Sequence, residues 1–220
     1  MAEAVPSDSH DPTIGPPATA GLTAKQRARR ERVIDAALTL LQSRDYERIQ
    51  VRDVAEAANV ALGTIYHYFS SKDHLFAEVL LKWAAALRTN VARHPLSGSS
   101  PAEQLTDVLH RSVRAFQRRP QLARLIATLQ LSADPSAVEV MTRLSQTTAS
   151  IYEEVLVDIE PAVASAIVRV VEAVLAANLR AWSNGRMPVD DVLAHLAEAV
   201  DLLFSPVEPS FGAEAPRSRG

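Results

Sequence analysis

Apolar positions recur at three- and four-residue spacings along almost the whole chain, the period of an amphipathic helix. Thr23 is a capping residue. The stripe Val33, Ile34, Ala37, Leu38, Leu40 and Leu41 after it predicts a helix running to about Ser43. Two short helices follow, near Val51–Ala58 and Ala61–Tyr68. Ser70 with Asp73 matches a capping box, and Leu75, Phe76, Val79, Leu80 and Trp83 carry the next helix to about Arg93. Pro95, Gly98 and three serines mark a loop over residues 94–100. Prolines then open helices in turn: Pro101 to about Arg118, Pro120 to about Leu131, Asp134-Pro135 to about Asp158, and Pro161 to about Asn184. Asp190 and Asp191 sit in the first turn after Pro188, where acids favour a helix start, and that helix ends near Phe204. No alternating run of strand type competes. The pattern predicts an all-α chain of about nine helices.

Residues 1–22 and 205–220 are rich in Pro, Ser, Ala and acidic residues with little to bury, and read as disordered tails. Between them, residues 23–70 form a three-helix head and residues 71–204 a helical body. Scarce glycine (7 residues) with abundant Ala and Leu agrees with helix, and the absence of Cys excludes disulfides, thiolate metal sites and a Cys nucleophile. The N-terminus lacks the apolar core of a signal peptide, and no stretch is expected to approach the roughly 20 apolar residues of a membrane span. A cytoplasmic protein without membrane contact is the expectation. The formal charge is −3 overall, but residues 24–72 carry a net +3. A small basic head on an acidic body suits local contact with phosphate.

The informative stretch is Val51 to Phe69. Two short helices meet near Asn59, a residue that tolerates the left-handed conformation ending a helix. Val51, Val54, Val60, Ile65 and Phe69 can face a shared core, and Ala55 is small where two helices cross. This is the pattern of a helix-turn-helix, whose second helix enters the major groove. Gly63 lies inside that second helix, where it costs about 1 kcal/mol relative to Ala. Close approach of another molecule to the backbone is one reason to keep it. Thr64, Tyr66, His67 and Tyr68 surround it with hydrogen-bonding groups. An ordinary helical hairpin with a packed aromatic end is the bland alternative.

Residues Ala61 to Phe69, followed by Ser71-Lys72-Asp73 and Leu75 and preceded by Val54-Ala55 and Ala58-Asn59-Val60, resemble the DNA-binding signature of the TetR family of bacterial regulators. The resemblance implies a homodimer that binds double-stranded operator DNA. Ala61, Thr64, Tyr66 and His67 would lie on the recognition surface, with Gly63 permitting close approach. Tyr66, Tyr68 and Lys72 would meet phosphates. Arg52 would meet phosphate or a base. Arg27, Arg29 and Arg30 would reach the neighbouring minor groove or its phosphates. The family commonly caps the second helix with Thr; Gln50 here puts that hydroxyl-to-phosphate contact in doubt. Gln26–Arg32, Arg118-Arg119-Pro120, Ala133-Asp134 and Asn178–Trp182 further resemble the actinobacterial cholesterol-catabolism repressor group within that family. That would imply an acyl-CoA or steroid-derived inducer, its phosphates met by Arg118, Arg119, Arg124 or Arg180.

The body exceeds what is needed to support the head. Trp83, Phe116, Leu125, Leu129, Met141, Tyr152 and Trp182 are candidate lining for a ligand pocket between helices, though such side chains are more often core. Family membership would make this the effector site. The Ala- and Val-rich helix after Pro161 and the last helix offer Val170, Val174, Ala177, Leu193, Leu196 and Val200 as a two-fold dimer surface. No cofactor or metal motif is present. The histidines show no i, i+4 pair, and HExxH, GxSxG, P-loop and GxGxxG are absent, so an enzyme is not expected. The competing classes are a ligand-insensitive DNA-binding or partner-binding helical protein, and an activator using the same head.

Overall fold

The computed structural model describes residues 21–205; the proposed tails lie almost wholly outside them. Among the described residues there are nine α-helices and one short 3-10 turn, with no strand. The helices are α1 (Ala24–Leu40), α2 (Val51–Ala57), α3 (Leu62–Tyr68), α4 (Lys72–Arg93), α5 (Pro101–Gln117), α6 (Pro120–Leu129), α7 (Pro135–Glu153), α8 (Pro161–Ser183) and α9 (Val189–Phe204). The turn spans Tyr46–Arg48.

Local chemistry explains most boundaries. Thr23 and Gln26 cap α1 reciprocally, each side chain accepting the other's backbone N–H. Ser100 and Glu103 do the same for α5. Prolines 101, 120, 135 and 161 each occupy a first helical position, where their missing N–H costs nothing. Leu22, assigned above to the tail, is buried in the core. The helix begun at Pro135 stops at Glu153 rather than Asp158, because the chain turns there and tucks Val155 and Leu156 inside.

The start of α4 also corrects the sequence reading. Its cap is Ser71, whose hydroxyl accepts the His74 N–H at 3.0 Å, not Ser70. Asp73 does not close a capping box. Its carboxylate accepts the Tyr46 hydroxyl from the head and the Ser132 hydroxyl from the α6–α7 connection.

In the head, α1 packs on α2 and α3 through Val33, Ile34, Ala37, Val54, Ala55, Ile65 and Phe69, all buried. In the body, α4 lies along α7, and α8 packs on α6, α7 and α9. Helix α4 starts against the head and, at 22 residues, runs about 33 Å along the body. Contrary to expectation, α8 is long and apolar enough to cross a membrane by length and composition. It packs as a bundle helix, burying Ile167, Val168, Val171, Leu175 and Leu179 against its neighbours.

Candidate nucleic-acid interface and effector cavity

Helix α2 ends on Asn59 at φ 52°, the one non-glycine residue in the left-handed region among those described. The Val60 N–H closes the turn on the Ala55 carbonyl at 3.0 Å. This turn swings α3 so that Ile65 faces the core and Ala61, Leu62, Gly63, Tyr66 and His67 face outward. Thr64 is half-buried beside them. Tyr66 is 53% exposed. A Cβ built on Gly63 meets nothing within 4 Å. The chain's own packing therefore gives no reason for glycine at this position.

The other proposed DNA contacts divide. Arg27 and Arg52 are exposed and Arg29 half-exposed, at the starts of α1 and α2. Arg30 is not available. It is buried, pairs with Glu78 of α4 at 2.6 Å, and lies over the Phe69 ring. Its turn of α1 faces α4, so its charge ties head to body instead of reaching outward. Tyr68 is also buried, packed edge-on against Phe69. Lys72 is half-buried, donates to the Tyr46 carbonyl at 2.6 Å and sits 3.9 Å from the centre of the Tyr46 ring. Burial lowers its pKa, against the pull of Glu47, Asp73 and Asp53. Two of its three ammonium donors remain for an outside acceptor. At Gln50 the backbone N–H is held by the Asp53 carboxylate at 2.9 Å, and no side-chain hydroxyl stands where the family commonly has Thr. Leu62, 44% exposed, belongs to the outer face and was missed because an apolar residue reads as core.

Head and body meet through charges as well as α4. Besides Arg30–Glu78, Lys82 bonds Glu31 and Asp35 at 2.8 and 2.7 Å, and Arg124 of α6 bonds Asp45 at 2.6 Å. Asp134, the cap of α7, accepts the Ser70 hydroxyl at 2.9 Å and the Ser136 N–H at 2.7 Å. Burial pushes its carboxyl up, but bonds from Ser71, Ser70, Ala137 and Ser136 outweigh that and hold it below the usual range.

The body holds a half-open cavity of about 310 Å³, at the small end of the roughly 300–1,000 Å³ usual for ligand sites. Trp83, Phe116, Met141 and Tyr152 line it, as expected. Leu125 and Leu129 do not: both are fully buried in solid core. Trp182 is also outside the lining, because α8 reaches the cavity only as far as Leu179. Sequence reasoning missed the polar wall, formed by Ser112, Gln130, Ser145, Thr148 and Glu172. Burial raises the Tyr152 hydroxyl to about 12, and raises the Glu172 carboxyl as well. Of the four arginines considered, Arg180 alone adjoins this cavity, reaching Gln130 at 3.5 Å. Arg124 is paired, and Arg118 and Arg119 line a separate cleft beside Leu38 and Leu41.

An outward recognition-type helix, joined by one long helix to a cavity-bearing bundle, is the arrangement of a ligand-gated DNA-binding protein. The comparisons agree. The family model for bacterial regulatory proteins of the TetR family matches residues 33–79, and that for the tetracyclin repressor-like C-terminal domain matches residues 98–203. The chain is 35% identical over 184 residues to the HTH-type transcriptional repressor KstR of Mycolicibacterium smegmatis, covering 83% of this chain and 90% of that protein.

The chain belongs to the TetR family.

It is thus an HTH-type transcriptional regulator. KstR of Rhodococcus jostii is 34% identical over 180 residues, covering 81% of this chain and 84% of its own. Among solved structures, a TetR regulator from Rhodococcus sp. RHA1 superposes with TM-score 0.74 at 27% identity, over 84% of this chain and all of that one. Thermus thermophilus FadR, solved in complex with lauroyl-CoA, superposes with TM-score 0.65 at 22% identity, over 87% of this chain and all of its own. That likeness concerns the fold.

The expected dimer surface is partly corrected by burial. Leu196 and Val200 are fully buried in the chain's own core, where α9 packs on α5 and α8, so they are unavailable to a partner. Val170 and Ala177 are exposed on α8, with Val174 and Leu193 half-buried beside them. Val163 and Ala173 extend the exposed stripe at helical spacing.

Proposed function

We propose that this TetR-family regulator is a dimeric transcriptional repressor, working on operator DNA in the cytoplasm and released by an apolar acyl-CoA or steroid-derived inducer. The observation that carries the reading is that one helix serves both sites. Trp83 and Leu87 of α4 line the cavity, while the first turn of α4 holds Lys72 and Asp73 against the head. A ligand that shifts α4 moves the head with it. In linkage terms, the inducer must bind the DNA-incompetent state more tightly than the competent one.

Repression is supported by the similarity to the KstR repressors, and the ligand class by the apolar cavity. FadR, which shares the fold, is a repressor that forms a complex with lauroyl-CoA. Arg180 at the edge of the cavity is the cation we assign to the phosphates of a CoA thioester. Exposed Val170 and Ala177 belong to a two-fold interface that sets two copies of α3 about 34 Å apart, one turn of DNA.

The test is a titration of the protein–operator complex with lauroyl-CoA, followed by fluorescence anisotropy. Release of wild type, with Ala176→Trp needing at least tenfold more thioester yet binding operator normally, is the expected result. Ala176 lines the cavity, so the added ring fills it. Equal release of both proteins would place the effector elsewhere.

A further inference from the structure

The cavity lining holds one carboxylic acid, Glu172, and no Lys or Arg. Its neighbours are otherwise aliphatic, aromatic or uncharged. Glu172 lies half-buried on α8, opposite Thr148 of α7. The Thr148 oxygen is 2.9 Å from Glu172 Oε1 and 3.0 Å from the Ser145 carbonyl oxygen. A hydroxyl carries one proton and can serve only one of these acceptors fully. If it serves Ser145, the acid supplies the proton of the other bond and is itself neutral. Burial, and secondarily the nearby Glu153, push the Glu172 carboxyl up, opposed by the Thr148 bond. Oε2 has no protein hydrogen-bond partner among the described residues.

An acid facing an apolar cavity without a cation is poor packing. Leu at that place on α8 would continue the apolar face and remove the desolvation cost. No fold requirement explains Glu172.

We propose that Glu172 and Thr148 form the polar recognition point of the cavity. They select apolar ligands that present an uncharged hydroxyl or carbonyl oxygen to the α7–α8 wall, and reject ligands that bring a carboxylate there. The free Oε2 accepts from a hydroxyl, or donates to a carbonyl when it bears the proton. A second carboxylate there cannot stay ionised beside an ionised Glu172, with no cation among the lining residues to balance the pair, so one of the two must take up a proton. The proposal rests on the cavity being the effector site, and it narrows the ligand from any acyl chain to one oxygenated away from its thioester.

The experiment compares full-length wild type with Glu172→Gln and Glu172→Leu, reading ligand binding by the fluorescence of Trp83. The probes are lauroyl-CoA, 12-hydroxylauroyl-CoA and the mono-CoA thioester of dodecanedioic acid. Wild type should prefer the hydroxylated chain over lauroyl by about fivefold, the size of one neutral hydrogen bond. It should bind the terminal carboxylate at least tenfold more weakly than the hydroxyl. Glu172→Gln should keep the first preference and lose most of the second. Glu172→Leu should bind lauroyl-CoA at least as well as the hydroxylated chain. The same ranking in wild type and Glu172→Leu overturns the proposal. Decanol and decanoate repeat the contrast without coenzyme A. Discrimination between them in wild type that shrinks in Glu172→Gln supports the proposal even if every thioester fails, a failure that would overturn the acyl-CoA reading alone. Binding of no probe from either set overturns both.

Discussion

Replacing Gly63 by Ala should strengthen the fold and weaken its function. Gly63 is the second residue of α3, and its added methyl would enter open space with no atom within 4 Å. It sits at ordinary helical dihedrals, so Ala introduces no backbone strain. The unfolded chain also loses freedom. Together these should stabilise the protein by about 0.5–1 kcal/mol. At roughly 2–4 °C per kcal/mol for a chain of this size, the melting temperature rises by about 1–4 °C. On DNA the same methyl is forced into a close contact. Overpacking of that kind costs about 1–3 kcal/mol, or a loss of roughly 5- to 160-fold in operator affinity. The assay pairs thermal melts with anisotropy titrations on operator DNA at one salt concentration, since phosphate contacts make affinity salt-dependent. Unchanged operator affinity, or a destabilised fold, would refute the reasoning that the space beside Gly63 is kept for DNA.

Three further outcomes follow from the same structure. Arg30→Ala strands Glu78 in the head–body interface; with Arg143 still 3.6 Å away as partial compensation, the loss should be about 3 kcal/mol, and Arg30→Met with Glu78→Leu should recover most of it in urea denaturation at fixed protein concentration. If Arg30→Ala keeps full stability and loses only DNA binding, the buried-pair assignment is wrong. Asp134 has a folded pKa below its unfolded value, so its stabilisation is complete above the unfolded pKa near 4 and fades as pH falls through the folded one. Asp134→Ala should therefore be less stable than wild type at pH 7 and approach it as pH falls through the folded value; a constant gap across an acid titration would contradict this. Val170→Asp, on the exposed face of α8, should dissociate the proposed dimer in analytical ultracentrifugation with the monomer still helical; a variant that sediments as the same dimer as wild type would move the interface elsewhere.

What could be read from the sequence was local. Proline at a first helical position and Asn at a left-handed helix end are decided by one residue's own chemistry, so the helix starts and the turn at Asn59 were legible. The outward placement of Tyr66 and His67 came from the resemblance to the TetR signature, and both are exposed. Arg30 was misread because its neighbour Glu78 is distant in sequence and meets it only when α1 packs on α4. Tyr68 looked like a DNA contact for the same reason: its ring is polar at one end, and only packing shows that the core has taken it. An apolar stripe cannot say whether it lines a void or fills one, so Leu125, Leu129 and Trp182 were placed in the pocket beside true lining residues. Leu196 and Val200 show the matching error at a surface, since a core helix and an interface helix share one periodicity. Glu172 left a trace, an acid in an apolar run, but its meaning needs Thr148 across the cavity.

The central claim is that the outer face of α3 reads DNA sequence, and selection from a random duplex pool tests it most directly. Wild-type protein should enrich a two-fold symmetric site with half-site centres one helical turn apart, or a multiple of it, while Thr64→Ala and His67→Ala enrich altered half-sites. No enrichment by wild type, or one identical motif from all three proteins, would contradict the account.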